Sequence, residues 1–357
     1  MARKWFKQAS RRLCLPSKRH KSVGFTLIEL LVAMFIGGVI TSLLLFLVVQ
    51  LLQTSQRESA RSDTQREMQM ALDYIGRDLR EAVYVYDGQC LTDVSHSYPS
   101  TGNNNTCPGL LNYLSPTAGT KNLPVLAFWR VDRLPPKIED LCKANAGAFS
   151  NTGTPKEQEE ALAPISGVPC IAQRMYTLVV YSLDWTENAG TPWSGKARIK
   201  RYQLPQYPYS ASAASEVTPG WAFPGGEVSF ITWPLDRARK DDRVNKSRLD
   251  VSGGQVLVDF VDQQGLSAGA ADAVCPAVPV TNPVTLPYTL TPKSASSNRG
   301  FYVCVRGAEN NGNLNQEVSV FLQGNAAGRP GLPLRASNVP ISMQTRVMTR
   351  GAFEKRI

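Results

Sequence analysis

One carboxylate stands inside a long apolar stretch. Glu29 is the only ionisable side chain from Phe25 to Leu52, and the run Leu30 to Gln56 carries no charge over 27 residues. A charge in such a helix is costly unless an opposite charge neutralises it, so Glu29 is read as half of an ion pair. The competing reading is a glutamate near a membrane edge that reaches headgroup water. Five residues before it, Gly24 precedes Phe25. A residue without a side chain lets an extended backbone enter a tight cleft without a clash. Elsewhere the catalytic inventory is thin. The chain has two histidines and no H-E-x-x-H, G-x-S-x-G, Walker P-loop or G-x-G-x-x-G pattern, so no enzyme and no cofactor is expected.

The segments that carry these residues are marked by charge. Of the 39 Lys and Arg, eight lie within residues 1–24, which hold no acid. The remaining chain carries 31 against 29 Asp and Glu, so the formal charge of +10 belongs almost wholly to its first segment. An anion-seeking protein is therefore not implied, and no basic stripe with interleaved aromatics survives beyond residue 24 to bind nucleic acid. The uncharged run reaches roughly 40 Å as a helix, enough to cross a bilayer core of about 30 Å. A secretory signal has an apolar region of about 7–15 residues and then a small-x-small cleavage site, whereas this run is about twice as long and continues into a helical pattern. The basic side stays in the cytoplasm and the rest crosses.

The segment Lys21-Ser22-Val23-Gly24-Phe25-Thr26-Leu27-Ile28-Glu29-Leu30-Leu31-Val32-Ala33 resembles the type IV prepilin signature of pilins, minor pilins and type II secretion pseudopilins. The resemblance implies that a prepilin peptidase cuts between Gly24 and Phe25 and N-methylates Phe25. It also implies that Glu29 pairs with the Phe25 amine of a neighbouring subunit and so sets register in a filament. One departure is that no proline lies between Pro16 and Pro99, where many pilins have one in the membrane half; Gly37-Gly38 is the weak point of this helix instead.

Beyond the apolar run, Met68, Leu72, Ile75, Leu79 and Val83 recur at helical spacing. A single helix from Phe25 to Val83, roughly 88 Å long, is therefore expected, with its second half laid on a core. Later runs rich in Val, Ile, Tyr, Phe and Thr read as strands: Val125–Val131, Met175–Leu183, Ala197–Leu204, Val228–Trp233, Gln255–Val261, Phe301–Val305, Val318–Leu322 and Ile341–Met348. The order predicts an α+β, pilin-like fold, a long helix packed on a mostly antiparallel sheet. Expected boundaries are a cleaved leader over 1–24, a transmembrane helix over 25–56, its amphipathic continuation over 57–86 and a β-rich head over 87–357.

Three connections in the head, 87–122, 132–170 and 262–299, are longer than compact domains need. They are read as binding or assembly loops or as decoration, and the last, with Pro276, Pro279, Pro283, Pro287 and Pro292, as an extended path. Cys14 falls in the leader, leaving Cys90, Cys107, Cys142, Cys170, Cys275 and Cys304. An even count in an exported head points to disulfides. Pairing neighbours in sequence would staple each long connection, which is one of 15 connectivities. Zinc is the rival, disfavoured because no C-x-x-C occurs and His96 is the only histidine left after the leader. Asp241, Asp242 and Asp250 lack calcium-ligand spacing and read as a solvated loop, so no metal is expected.

The length and head resemble the PilW and GspJ-like group. The stretch Gln65 to Gly88, QREMQMALDYIGRDLREAVYVYDG, resembles cyanobacterial pseudopilins of hormogonium polysaccharide secretion. The implied protein is a single-pass inner-membrane subunit with a periplasmic head, assembled with other pilins on an inner-membrane platform for polysaccharide secretion and gliding motility. A pilus-tip adhesin or DNA-uptake module, or a tethered enzyme with an unfamiliar site, are the alternatives.

Overall fold

The computed structural model describes residues 24–98, 106–115, 121–150, 155–186, 192–225, 228–246, 249–263, 273–277, 287–293, 300–308, 315–330, 332 and 341–349. Residues 1–23, which include Cys14 and His20, the Gly102–Asn105 stretch, and Pro279 and Pro283 lie outside the described residues. The chain divides into two units, residues up to Ser55 and from Gln56 onward.

The first unit is the N-terminal part of α1 (Leu27–Arg80), and from Gly24 to Ser55 every residue is exposed. In the second unit the same helix turns one face inward, with Ala60, Thr64, Met68, Ala71, Leu72, Ile75 and Leu79 buried. The elements that follow are β1 (Ala82–Val85), β2 (His96–Ser97), β3 (Thr106–Cys107), β4 (Leu114–Ser115), β5 (Asn122–Arg133), α2 (Pro136–Ala144), α3 (Pro155–Leu162), β6 (Arg174–Asp184) and β7 (Ala197–Pro205). The chain ends in β8 (Leu249–Asp250), β9 (Gln255–Val261), β10 (Thr289–Thr291), β11 (Phe301–Arg306), β12 (Glu317–Gly324) and β13 (Ile341–Met348). This is an α+β, pilin-like architecture.

Strands β1, β5, β6, β7 and β9 form an antiparallel run in that order, and β9 meets β12 at one pair, Val261 opposite Gly324. Strand β12 lies between β11 and β13, and β10 continues beyond β11. The sheet curls far enough for its first strand to meet the residue before β12. There Gln316 acts as a substitute strand: Val85 N–H donates to Gln316 Oε1, and Gln316 Nε2 donates to the Val85 carbonyl, both at 2.7 Å. Gln316 is fully buried, so without this amide two backbone groups would lose their partners.

The sheet is covered on both faces. Val179, Tyr181 and Leu183 of β6 join the cluster under α1, while Leu178 and Val180 point into an aromatic cluster around Trp129, Trp233, Tyr84 and Tyr86. A period of two with both faces buried reads in sequence as a continuous apolar run. Each large helix side chain sunk into the first cluster contributes about 1.5–3 kcal/mol. Close approach of helix and sheet depends on Gly324, where a Cβ would stand 2.8 Å from Met68 Cγ and 2.9 Å from Thr64 Cγ2. Thr64 and Met68 are both fully buried and cannot simply move aside. Replacing Gly324 by Ala is expected to destabilise the head by about 1–3 kcal/mol through overpacking; an unchanged thermal midpoint would show that the helix can shift.

Three features depart from the sequence expectation. The helix, expected through Val83 and onward to residue 86, stops at Arg80, and Ala82–Val85 pairs with β5. The run Ala82 to Tyr86 is β-branched and aromatic, which favours a pleated surface. A bulge between Ala82 and Tyr84 then turns Val83 away from the helix stripe into the aromatic cluster. Second, Val228–Trp233 is a turn rather than a strand. Ser229 N–H donates to Thr232 Oγ1, Thr232 N–H donates to Ser229 Oγ, and Trp233 N–H donates to the Ser229 carbonyl. These hydroxyls satisfy the backbone locally and replace ladder bonds. Third, the 132–170 connection contains α2 and α3, and the 262–299 connection contains β10.

Disulfides join Cys90 to Cys107, Cys142 to Cys170 and Cys275 to Cys304, at sequence separations of 17, 28 and 29. In the chain-entropy account, loops of these lengths each remove roughly 3–4 kcal/mol of freedom from the unfolded state. Cys142 and Cys170 also anchor a third apolar cluster, with Leu134, Ile138 and Tyr207.

Candidate processing and assembly site

Gly24, Phe25 and Thr26 precede the helix, which begins at Leu27. The Thr26 carbonyl accepts from Glu29 N–H at 3.0 Å and Leu30 N–H at 3.2 Å, closing the first turn. Thr26 Oγ1 lies 3.5 Å from Glu29 Oε2. Thr-x-x-Glu has the spacing of a capping box, in which two side chains serve the orphan amides of a helix start. The helix dipole also favours a carboxylate in this first turn. Glu29 thus has a local reason to sit where it does, apart from any role as an ion-pair partner.

Gly24 has no such internal reason. A Cβ there would meet nothing within 4 Å, so no packing contact among the described residues calls for glycine at this position. Phe25 is 79% exposed and Glu29 is exposed too. Along the following turns Thr41 Oγ1 donates to the Gly37 carbonyl at 2.6 Å and Ser42 Oγ to the Gly38 carbonyl at 2.8 Å. Both hydroxyls are satisfied within the helix, as they must be in an apolar medium. Among the described residues, α1 is the one helix long and apolar enough to cross a membrane, and none of its most apolar window is buried. A core helix of a water-soluble domain would be covered, so this face calls for lipid or other helices.

Two of the three aspartates singled out in the head, Asp241 and Asp250, are internally committed. Asp241 holds the buried Arg243 with both carboxylate oxygens, at 3.0 Å and 2.8 Å, and the guanidinium lies 4.8 Å from the centre of the Tyr113 ring. Burial raises the Asp241 pKa, but the Arg243 hydrogen bonds and charge outweigh it and hold the carboxyl below its usual range. Asp250 Oδ1 accepts from Ser252 N–H at 2.9 Å and caps a short turn of helix. Among the described residues no group of three or more His, Cys, Asp or Glu is placed to hold a metal. His96 packs edge-on against Tyr98 at 5.0 Å.

Sequence reasoning missed a buried carboxylate that joins three distant side chains, Asp78, on the last turn of α1. Its Oδ1 accepts from Arg130 Nη1 at 2.7 Å, and its Oδ2 from Arg201 Nε at 2.8 Å and the Tyr181 hydroxyl at 2.6 Å. Burial and the neighbouring carboxylate push the Tyr181 hydroxyl far above the ordinary phenol range, so it remains a donor. The only sequence signal was position: residue 78 lies three after Ile75 and one before Leu79, at the margin of the buried stripe.

Residues 19–45 match the prokaryotic N-terminal methylation motif. No curated protein and no solved structure matches the chain. The motif spans 27 of 357 residues, so it speaks for the processing segment and the anchor and leaves the head to its own structure. With the exposed apolar helix and the antiparallel head, it marks the chain as a type IV pilin-like precursor, the kind of substrate a prepilin peptidase processes.

Proposed function

We propose that the chain is a minor pilin or pseudopilin, a structural subunit of a type IV pilus-like or type II secretion-like filament. Residues 1–24 are the leader, removed between Gly24 and Phe25 with N-methylation of Phe25. Residues 25–56 anchor the subunit in the inner membrane, and the head, whose first strand is Ala82–Val85, lies in the periplasm. The observation that carries this reading is the exposed apolar helix with a single carboxylate in its first turn. Such a surface is stable in a bilayer before assembly and against other helices afterwards. Glu29 is then the group that meets the Phe25 amine of the neighbouring subunit, with other pilins and the inner-membrane assembly platform as partners. The resemblance of Gln65–Gly88 to hormogonium pseudopilins supports a place in polysaccharide secretion and gliding motility.

The test separates the capping role of Glu29 from the pairing role. Glu29→Ala loses a modest helix-start contribution, about 0.5–2 kcal/mol, in a helix that a membrane stabilises in any case. It leaves a neighbour's amine without its counter-charge, at a cost of about 3 kcal/mol or roughly a hundredfold in incorporation. Membrane insertion is therefore expected to persist while the variant disappears from sheared filaments. Normal incorporation would leave Glu29 as a helix cap and remove the pairing from this reading.

A further inference from the structure

On the face of the head away from α1, a cleft of about 530 Å³ opens between the 166–169 turn and the 206–244 segment. Its lining is mostly apolar and includes Trp221, Phe223 and Val217. Trp221 is buried, and its indole N–H already donates to the Tyr176 carbonyl at 3.2 Å, so it presents ring surface only. Phe223 packs against it with ring centres 6.1 Å apart and is 37% exposed, leaving ring surface open to solvent.

Two side chains in this lining carry acceptor oxygens that the fold leaves unpaired. Gln206 is 3% exposed; its Nε2 donates to the Gly167 carbonyl at 3.2 Å, but its Oε1 has no hydrogen-bond partner. A buried amide oxygen left in this state is costly. Asp242 stands exposed at the rim, and among the described residues its carboxylate makes no hydrogen bond or ion pair. Both groups can only accept. An occupant must therefore bring hydrogen-bond donors on one side and an apolar face on the other.

A pyranose ring has this division, with hydroxyl groups around its edge and a C–H face that lies on aromatic rings. A cationic side chain fits less well. The segment 237–246 carries Arg237, Arg239, Lys240, Arg243 and Lys246 against Asp241 and Asp242, and Asp241 is spent on Arg243. Five cationic side chains against two carboxylates leave this segment at a formal +3, a balance that disfavours a further cation. We propose that this cleft binds a neutral hexopyranose unit of a polysaccharide, with Phe223 as platform and Gln206 Oε1 and Asp242 as acceptors. The proposal deepens the polysaccharide reading above and rests on it for biological context.

The test uses the full processed chain in phospholipid nanodiscs, since sugar-headed detergents would compete. Maltotetraose and cellotetraose are titrated by calorimetry, with tetralysine as the cationic control. Saturable binding of at least one tetrasaccharide is expected, and Phe223→Ala and Asp242→Asn should each weaken it about tenfold. Both positions are surface-exposed, so an unchanged melting curve shows that the variants remain folded. No binding of either sugar, binding that both variants leave intact, or saturable binding of tetralysine instead would overturn the proposal. Filament incorporation of the same variants separates the two readings. A chain that assembles normally yet binds no sugar sinks the cleft alone, whereas one that binds sugar but never enters filaments sinks the subunit role.

Discussion

Replacing Asp78 by Ala is expected to destabilise the head by about 3–5 kcal/mol, the usual result of removing one partner from a buried charge network. Asp78 is nearly buried, and the side chains of Arg130 and Arg201 are 15% and 13% exposed. Without the carboxylate, two guanidinium groups and the Tyr181 hydroxyl would face one another with no acceptor between them. Arg130 would keep Asp132, 2.8 Å away, but the next acceptor of Arg201 beyond Tyr181 is the uncharged Gln203 oxygen, 2.8 Å from Nη1. Burial disfavours the Arg201 cation, yet the hydrogen bond and charge of Asp78 outweigh it and hold that guanidinium above its already high range. The dipole at the end of a helix opposes a negative charge, so Asp78 is held there by tertiary partners alone. Domain stabilities run to about 5–15 kcal/mol, so the change would consume a large share. Urea unfolding of the processed chain with disulfides intact is the measurement, and a loss below about 1 kcal/mol would place the network among ordinary surface ion pairs. Asp78→Asn keeps one acceptor oxygen and should fall between the two.

Gly24→Leu should block processing almost completely. Because a Cβ at residue 24 meets open space, the substitution leaves the fold alone and acts only where another protein must accept the backbone. A side chain that costs about 3 kcal/mol in a protease cleft slows cleavage roughly a hundredfold. The variant is expected to accumulate in the membrane as a precursor retaining residues 1–24, read as intact mass, with Phe25 unmethylated. Normal cleavage would remove Gly24 from the processing site. Gly24→Ala, with its single methyl, should be cut at an intermediate rate, which a general folding defect would not produce.

The two sites differ in how far the chain alone reveals them. Gly24, Phe25 and Glu29 lie within six residues of one another, and the reading of them depends on local facts: a missing side chain and one charge in an apolar run. The helix stripe and most strands were legible for the same reason, since periods of 3.6 and 2 are short-range. Where a local pattern misled, a local competitor explains it. Val228 to Trp233 has the composition of a strand, but the Ser229 and Thr232 hydroxyls close it into a turn. Val83 continues the helical spacing of Met68 to Leu79, but the aromatic run around it pairs with β5.

By itself the sequence determined the basic first segment, the long apolar run, the motif at its start and the order of one long helix followed by strands, because each is written in contiguous composition or spacing. Only the tertiary structure decided how the head is held together and where it can take a ligand. Asp78 meets Arg130 and Arg201 across 52 and 123 residues, and Gln316 meets Val85 across 231. The Gln206 oxygen left without a partner is visible only once every neighbour is in place. No local period encodes such pairs, since a buried polar group is satisfied or stranded by whichever distant residue the fold brings beside it.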